Sequence, residues 1–358
     1  MSWQEVRGHD RQVDWFRQAV RRGRLASTFL FVGPSGIGKR TFALKLAQAL
    51  LCERNPESEL EPCGACEACQ QVAAGTHPDL EMVIRPEDNN FIPIESFIGD
   101  REHRMREGLC FRIGMKPSRG GRKVAIIDDA DYLNVEGANC LLKTLEEPPP
   151  KSVIVLIGTS EQRQLPTIRS RSQVIRFQAL KQTDVAALLL ESGLVESDEE
   201  ARRLAALGDG RLDVALRYRD EELAEFRGWL YERLGMRNVD LVEMVGQVSS
   251  FVDKAGKDAS PRRARIRQIA ELSADFYRQL MRGLSGLEVS GDETLRAALT
   301  ATISHWRGDA ELASACLDRC LDTTLQVEAN ANQATLLECW FDDLWLLTHG
   351  MTPAAIGS

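Results

Sequence analysis

The sequence TFLFVGPSGIGKRTFALKL, from Thr28 to Leu46, decides the fold. Thr28–Val32 is a short apolar run rich in aromatic residues, which is typical of a buried β-strand. The run ends at Gly33, and from Thr41 onwards the apolar residues recur at helical spacing. A strand, a glycine-rich turn and a helix in direct succession are the context in which the pattern G-x-x-x-x-G-K forms a phosphate-binding loop.

The loop from Gly33 to Lys39 has this pattern. Its glycines let successive backbone N–H groups turn towards a phosphate, and the N-terminus of the following helix adds partial positive charge. Lys39 would neutralise the outer phosphates of ATP. A chance glycine turn is the alternative. The candidate nucleotide-binding residues are Gly33, Pro34, Ser35, Gly36, Ile37, Gly38, Lys39, Arg40, Thr41 and Asp128.

The residue after Lys39 does not suit metal-assisted hydrolysis. The pattern calls for Ser or Thr, whose hydroxyl binds Mg²⁺, but this chain has Arg40, and a guanidinium cannot bind a cation. Thr41 carries a hydroxyl one residue later, yet a helix turns about 100° per residue, so that hydroxyl should point elsewhere. The loop therefore predicts ATP binding with a weakened Mg²⁺ site.

Two further strands are predicted after the loop. Val124–Ile127 precedes Asp128, which stands where a ligand of Mg²⁺ or of its water is expected, and Val153–Gly158 follows a predicted helix over Val135–Glu147. Strands that alternate with helices indicate a parallel sheet covered on both faces. Beyond Phe177 the pattern is helical throughout, and its least regular stretch, Asp253–Arg262, predicts a loop.

A cluster of cysteines predicts a metal site. Of nine cysteines, four lie close together, at Cys52, Cys63, Cys66 and Cys69. The spacing C-x10-C-x2-C-x2-C lets four thiolates close a tetrahedral Zn²⁺ site in an insertion over residues 52–77. An iron–sulfur cluster and unmetallated thiols are the alternatives, but ferredoxin motifs continue with a further Cys and Pro, whereas glutamines follow Cys69.

The overall composition excludes several classes of protein. The chain has 358 residues, of which 43% are hydrophobic and 27% charged, as in a soluble protein of two or three domains. Its 45 Lys and Arg against 53 Asp and Glu give a net charge of −8, so the chain as a whole is no basic DNA-coating module. The N-terminus has no apolar block of a signal peptide, and no apolar run approaches the ~20 residues of a membrane helix. A cytoplasmic location without a membrane partner is expected.

Several further motifs carry a family resemblance. They are GTHPD (Gly75–Asp79), IIDDADYLN (Ile126–Asn134), NCLLKTLEEP (Asn139–Pro148) and LPTIRSR (Leu165–Arg171). In this order, together with the phosphate-binding loop and the cysteines, they resemble the AAA+ subunits of bacterial clamp loaders over roughly the first half of the chain. The sequence departs at Ser172, where the family usually has Cys, and Ala329–Glu338 is similar to the family's C-terminal collar helix.

The resemblance implies a fold and a set of roles. The fold would be an α/β AAA+ P-loop domain with a parallel sheet over residues 1–178, a helical lid over 179–220 and an all-α collar for oligomerisation over 221–350. Arg171 would be an arginine finger that acts in trans on a neighbour's ATP site, although a surface arginine near other arginines is the alternative. Thr159 would be the sensor 1 residue. Asp129 stands where AAA+ ATPases generally have a longer Glu, which weakens the alignment of water. Sensor 2 stays open, because the spacing of Arg211 does not match well.

Within the family the chain is similar to delta-prime subunits of DNA polymerase III, because gamma/tau subunits keep Ser or Thr where Arg40 stands. The implied partners are gamma/tau and delta subunits in a hetero-pentamer, the sliding clamp, and primed DNA through the complex. The alternatives are an ATP-hydrolysing gamma-type subunit, a stand-alone AAA+ ATPase of DNA repair, and a zinc-bearing interaction protein with a vestigial loop.

Overall fold

The computed structural model describes residues 3, 6–86, 89, 91–104, 106–119, 121–236 and 238–351. The backbone separates into two compact units after Leu216. This division lies close to the boundary expected after residue 220 between lid and collar. The boundary expected after residue 178 is not marked by a division of its own, so the three-domain organisation stays a prediction.

The first unit contains a parallel β-sheet with the strand order β2-β3-β4-β1-β5. The strands are β1 (Thr28–Val32), β2 (Leu80–Val83), β3 (Lys123–Ile127), β4 (Ser152–Gly158) and β5 (Gln173–Arg176). The three predicted strands are confirmed as β1, β3 and β4, and all of their residues are buried. Since parallel strands end at the same edge of a sheet, the segments after β1, β3 and β4 come together there. The α/β class with a parallel sheet is confirmed.

Helices complete the first unit. They are α1 (Asp10–Arg21), α2 (Lys39–Leu50), α3 (Glu67–Ala73), α4 (Glu95–Ile98), α5 (Leu109–Gly114), α6 (Val135–Glu146), α7 (Pro166–Arg169), α8 (Gln182–Glu191), α9 (Asp198–Leu207) and α10 (Leu212–Arg217), the last of which reaches the division between the units. Phe42 of α2 packs against Phe16 of α1 and Phe31 of β1, which fixes the start of α2 beside the end of β1. The predicted helices after the loop and over Val135–Glu147 are confirmed.

Every regular element described in the second unit is a helix, as predicted. Its helices are α11 (Glu221–Gly235), α12 (Leu241–Asp253), α13 (Ala259–Leu284), α14 (Glu293–His305), α15 (Ala310–Glu328) and α16 (Gln333–Thr348). The core includes the fully buried rings of Tyr231, Phe276 and Trp340. The loop predicted over Asp253–Arg262 is wrong in its second half, because α13 already begins at Ala259. Pro261 lies in the first turn of that helix, where the missing N–H of proline breaks no helical hydrogen bond.

Among the described residues, no helix combines the length and the apolar character that crossing a membrane requires.

Candidate functional site

The phosphate-binding loop joins β1 to α2, and its glycines are required by the backbone. Gly33 and Gly36 have φ angles of +153° and +69°. A Cβ at Gly33 would lie 2.3 Å from the carbonyl oxygen of Phe177, and one at Gly36 would lie 1.7 Å from Oδ1 of Asp213. Only glycine fits both the conformation and the space at these two positions. The loop conformation that the pattern predicts is therefore built into the packing of the first unit.

Lys39 begins α2 and is buried, with 7% of its surface exposed. Its Nζ donates to the carbonyl oxygens of Gly33 at 2.7 Å and of Pro34. Burial lowers the pKa of Lys39 to about 8, and the negative charges of Asp131, Asp128 and Asp213 partly offset this fall. The ammonium thus lies inside the loop, next to where phosphate oxygens would accept hydrogen bonds.

Arg40 lies beside Asp128 at the end of β3. Its Nη1 is 3.6 Å from Oδ2 of Asp128, and the two side chains are 48% and 17% exposed. The pKa of Asp128 is raised by burial and by neighbouring Asp129, and the positive charges of Arg40 and Lys39 oppose this rise. The carboxylate that would face a metal ion is thus already paired with a guanidinium of the same chain. These residues do not fit a Mg²⁺ site of the usual kind.

Two of the three predicted catalytic positions, Asp129 and Thr159, are also engaged within the chain. Asp129 has a φ of +56°, and its Oδ2 is 3.6 Å from Nε of Arg85, whose guanidinium stacks on the ring of Tyr132. The hydroxyl and the backbone N–H of Thr159 both donate to Oδ2 of Asp131, at 2.5 and 2.8 Å. Asp131 was not singled out from the sequence, although it lies within the IIDDADYLN motif. Its carboxylate fixes Thr159 at the end of β4.

The start of α10 contacts the loop directly. The N–H of Leu212 donates to the carbonyl oxygen of Gly36 at 2.9 Å, and Nη2 of Arg211 donates to Oγ of Ser35 at 2.7 Å. Oδ2 of Asp213 accepts from the same hydroxyl at 3.3 Å and lies 3.4 Å from Nη2 of Arg211. The sequence spacing left Arg211 open as a sensor residue. The structure brings its guanidinium to the phosphate-binding loop.

A cavity of about 350 Å³ adjoins the loop within the first unit. It is mostly apolar, and its lining includes Val6, His9, Ile37, Thr41, Leu180 and Leu212. Nε2 of His9 is 2.7 Å from the carbonyl oxygen of Ile37, and burial lowers the pKa of His9. Thr41, the residue after Arg40, is one of the residues that line this cavity. An apolar cavity beside a phosphate-binding loop offers space for a flat nucleobase.

Arg171 follows α7 and is held by Glu146 at the end of α6. Its Nε donates to Oε1 of Glu146 at 2.9 Å and its Nη2 donates to the same oxygen, while Nη1 donates to the carbonyl oxygen of Thr167 at 3.1 Å. The Arg171 and Glu146 side chains are 31% and 50% exposed. The guanidinium is therefore oriented by a surface contact and stays accessible from outside the chain.

The four clustered cysteines are brought together around the start of α3. Their Sγ atoms all lie within 4.8 Å of one another, with 4.0 Å between Cys52 and Cys66 and 3.9 Å between Cys63 and Cys69. A tetrahedral Zn–S4 centre with bonds of about 2.3 Å has S···S edges of about 3.8 Å, whereas a disulfide needs about 2.05 Å. The four side chains therefore fit a tetrahedral ion.

Backbone N–H groups around the cysteines favour the thiolate of Cys63, whereas burial opposes the thiolate of Cys69. The N–H of Cys66 donates to Sγ of Cys63 at 3.3 Å, and the N–H of Cys69 donates to Sγ of Cys66 at 3.4 Å. A hydrogen bond from the backbone of Ala65 is the main reason that the pKa of Cys63 falls to about 6. Burial raises the pKa of Cys69.

Comparison with known proteins assigns the family. The model of the family described as "DNA polymerase III, delta subunit" matches residues 8–181. A DNA polymerase III subunit delta' of Bacillus subtilis is 33% identical over 241 residues, which are 66% of this chain and 68% of the relative. The chain belongs to the DNA polymerase III delta-prime family. A second delta' subunit, from Pseudomonas aeruginosa, is 38% identical over 59% of this chain.

The chain also matches gamma/tau subunits of DNA polymerase III at lower identity. A DNA polymerase III subunit gamma/tau of Mycobacterium bovis is 30% identical over 62% of this chain, but the match covers 37% of that longer relative. The match to the Pseudomonas aeruginosa delta-prime protein spans 61% of that protein's length. The delta-prime matches thus combine higher identity with a larger share of the relative.

Proposed function

We propose that this chain is the delta-prime subunit of a clamp loader, which assembles with gamma/tau and delta subunits in a hetero-pentamer in the cytoplasm. In that complex it helps to load the sliding clamp onto primed DNA. Its own chemical contribution is made in trans by Arg171, which enters the ATP site of a neighbouring subunit. Membership of the delta-prime family and the accessible guanidinium of Arg171 support this proposal.

The observation that carries the proposal is the pairing of the chain's own hydrolytic positions. Asp128 faces Arg40, Asp129 faces Arg85, and the Thr159 hydroxyl is committed to Asp131. A hydrolysing site needs a metal ion beside Asp128 and an aligned water near Asp129 and Thr159. The arrangement therefore supports ATP binding by the loop without appreciable turnover.

The role of Arg171 follows from its surroundings. A planar cation that reaches a transferring phosphoryl group stabilises the charge of the transition state. Such a group must be oriented without being buried in its own subunit. The contact with Glu146 orients the guanidinium, and the partial exposure of both side chains leaves it free to exchange that carboxylate for a phosphate.

A structural Zn²⁺ bound by the four clustered cysteines is part of the proposal. Their spacing fits a tetrahedral ion, and the four cysteines pack together with Ala68 in a small cluster. An ion bound there would link three separate stretches of the insertion.

Two measurements test the proposed function. A tagged version of the chain should co-purify with gamma/tau and delta subunits of its own organism. The isolated chain should show no ATPase activity above background. Co-purification with turnover at the rate of a gamma subunit would favour the hydrolysing gamma-type alternative. Turnover without co-purification would favour a stand-alone ATPase of repair.

A further inference from the structure

The pairing of Arg40 with Asp128 has a consequence for the ligand itself. We infer that the nucleotide site of this chain takes ATP or ADP as the free polyphosphate, without a divalent cation, and that the Arg40 guanidinium occupies the cation's place. The inference rests on the proposed nucleotide binding. The inference goes beyond that binding, because it assigns the chemical form of the nucleotide and the residue that selects this form.

The donor set argues against a metal ion. Mg²⁺ requires near-octahedral oxygen ligands at 2.0–2.1 Å, and sites of this class draw them from a hydroxyl at the start of the helix, a carboxylate and the phosphates. Arg40 replaces the hydroxyl and offers no lone pair. It also lies 3.6 Å from Asp128, so a divalent ion bound to that carboxylate would meet a positive charge at close range.

The same geometry suits a bare polyphosphate. A guanidinium presents five N–H donors in a planar fork that matches phosphate oxygens. Three cationic side chains converge on the loop: Lys39 lies inside it, Arg40 follows it, and Arg211 donates to Ser35. These cations can neutralise phosphate charge that Mg²⁺ neutralises in a hydrolysing site. Asp128 then serves to hold Arg40 in place.

The competing outcome is that Arg40, which is 48% exposed, swings into solvent and lets Mg–ATP bind. Binding of ATP to the purified full chain should therefore be measured by calorimetry in two buffers. One is freed of divalent ions by passage over a chelating resin, and the other contains excess MgCl₂. Soluble chelators are avoided because they would remove Zn²⁺, and zinc content is checked after each titration.

Wild-type protein is expected to bind ATP at least as tightly without Mg²⁺ as with it. Arg40→Ser restores the missing hydroxyl and should reverse the preference, with binding about tenfold tighter in Mg²⁺. Arg40→Gln is the matched control, because it removes the charge and keeps a long polar side chain without restoring a hydroxyl. It should weaken metal-free binding without gaining a preference for Mg²⁺.

Three results would overturn the inference: tighter wild-type binding in Mg²⁺ than without it, an Arg40→Ser protein with the wild-type preference, or a wild-type chain that binds ATP in neither buffer. A second measurement uses wild-type protein alone, in case a variant fails to fold. Mn²⁺ is titrated with ATP and protein, and its electron paramagnetic resonance should show no Mn²⁺ immobilised on the protein. An immobilised signal contradicts the inference. Co-purification with clamp-loader subunits does not depend on these outcomes, so the proposed function can stand if the inference fails.

Discussion

The lowered pKa of Lys39 predicts that ATP binding weakens as the pH rises. Burial holds this pKa at about 8, and a bound phosphate favours the charged ammonium and so raises the pKa in the complex. Below pH 8 the ammonium is already present, whereas above pH 8 binding must take up a proton. The charged fraction falls from about 0.9 at pH 7 to about 0.1 at pH 9, so the affinity should fall about tenfold, or ~1.4 kcal/mol.

Calorimetry of magnesium-free ATP binding at pH 7, 8 and 9 measures this effect. Titrations at pH 8 in buffers of different ionisation enthalpy should reveal an uptake of about half a proton. Lys39→Arg is the control, because a guanidinium stays charged throughout this range and should make the affinity flat. A wild-type affinity that is constant from pH 7 to pH 9, without proton uptake, would refute the lowered pKa and the position of Lys39 inside the loop.

The remaining predictions concern the zinc site and the core of the second unit. Cys66→Ser should reduce bound zinc from about one per chain to near zero and increase amide hydrogen exchange over residues 52–76. The control Cys339→Ser, at an exposed cysteine outside the cluster, should change neither the zinc content nor the exchange. Stoichiometric iron in the wild-type protein would contradict the zinc assignment. Asp343→Ala should lower the free energy of unfolding by about 3–5 kcal/mol, because the buried guanidinium of Arg319, which donates to Asp343 at 2.6 Å, would lose its charged partner. Asp342→Ala, at an exposed neighbouring position, should change it by less than about 0.5 kcal/mol in the same denaturant titration, and equal effects would argue against the buried pair.

The central strands could be predicted because burial on both faces demands continuous apolar runs. Thr28–Val32 and Ser152–Gly158 are of this kind, and all of their residues are buried. The edge strands Leu80–Val83 and Gln173–Arg176 are only four residues long and mix polar with apolar side chains, so they carry no such signal. Short strands at an edge pair on one side only and need less apolar surface.

The start of α13 shows a different limit. Ser260 and Pro261 are residue types that are common in loops, and the predicted loop therefore extended to Arg262. Both residues are compatible with the first turn of a helix, and the buried face that begins at Ile266 decides that the helix forms.

The chemistry of the site was partly visible in the sequence. The loop residues and the four cysteines carry their meaning in local spacing, so their proximity could be predicted. The partners of Arg40, Thr159 and Arg171 could not, because each pair joins segments that only the fold brings together. The contact of Arg211 with Ser35 belongs to the same class, since they are 176 residues apart.

The central claim is that this chain supplies its arginine to a neighbour and does not depend on its own turnover. The direct test is the rate of clamp loading onto primed DNA by the reconstituted complex, measured with Arg171→Ala, Lys39→Ala and the control Arg169→Ala. Arg171→Ala should slow loading strongly, because an arginine finger is worth about 10³–10⁵ in rate at its site. The stability of the variant itself should change by less than about 1 kcal/mol, since the contact with Glu146 is at the surface. Lys39→Ala should slow loading much less, and Arg169→Ala should have no effect. The reverse ranking, with Lys39→Ala severely impaired and Arg171→Ala unchanged, would mean that this subunit hydrolyses ATP for itself.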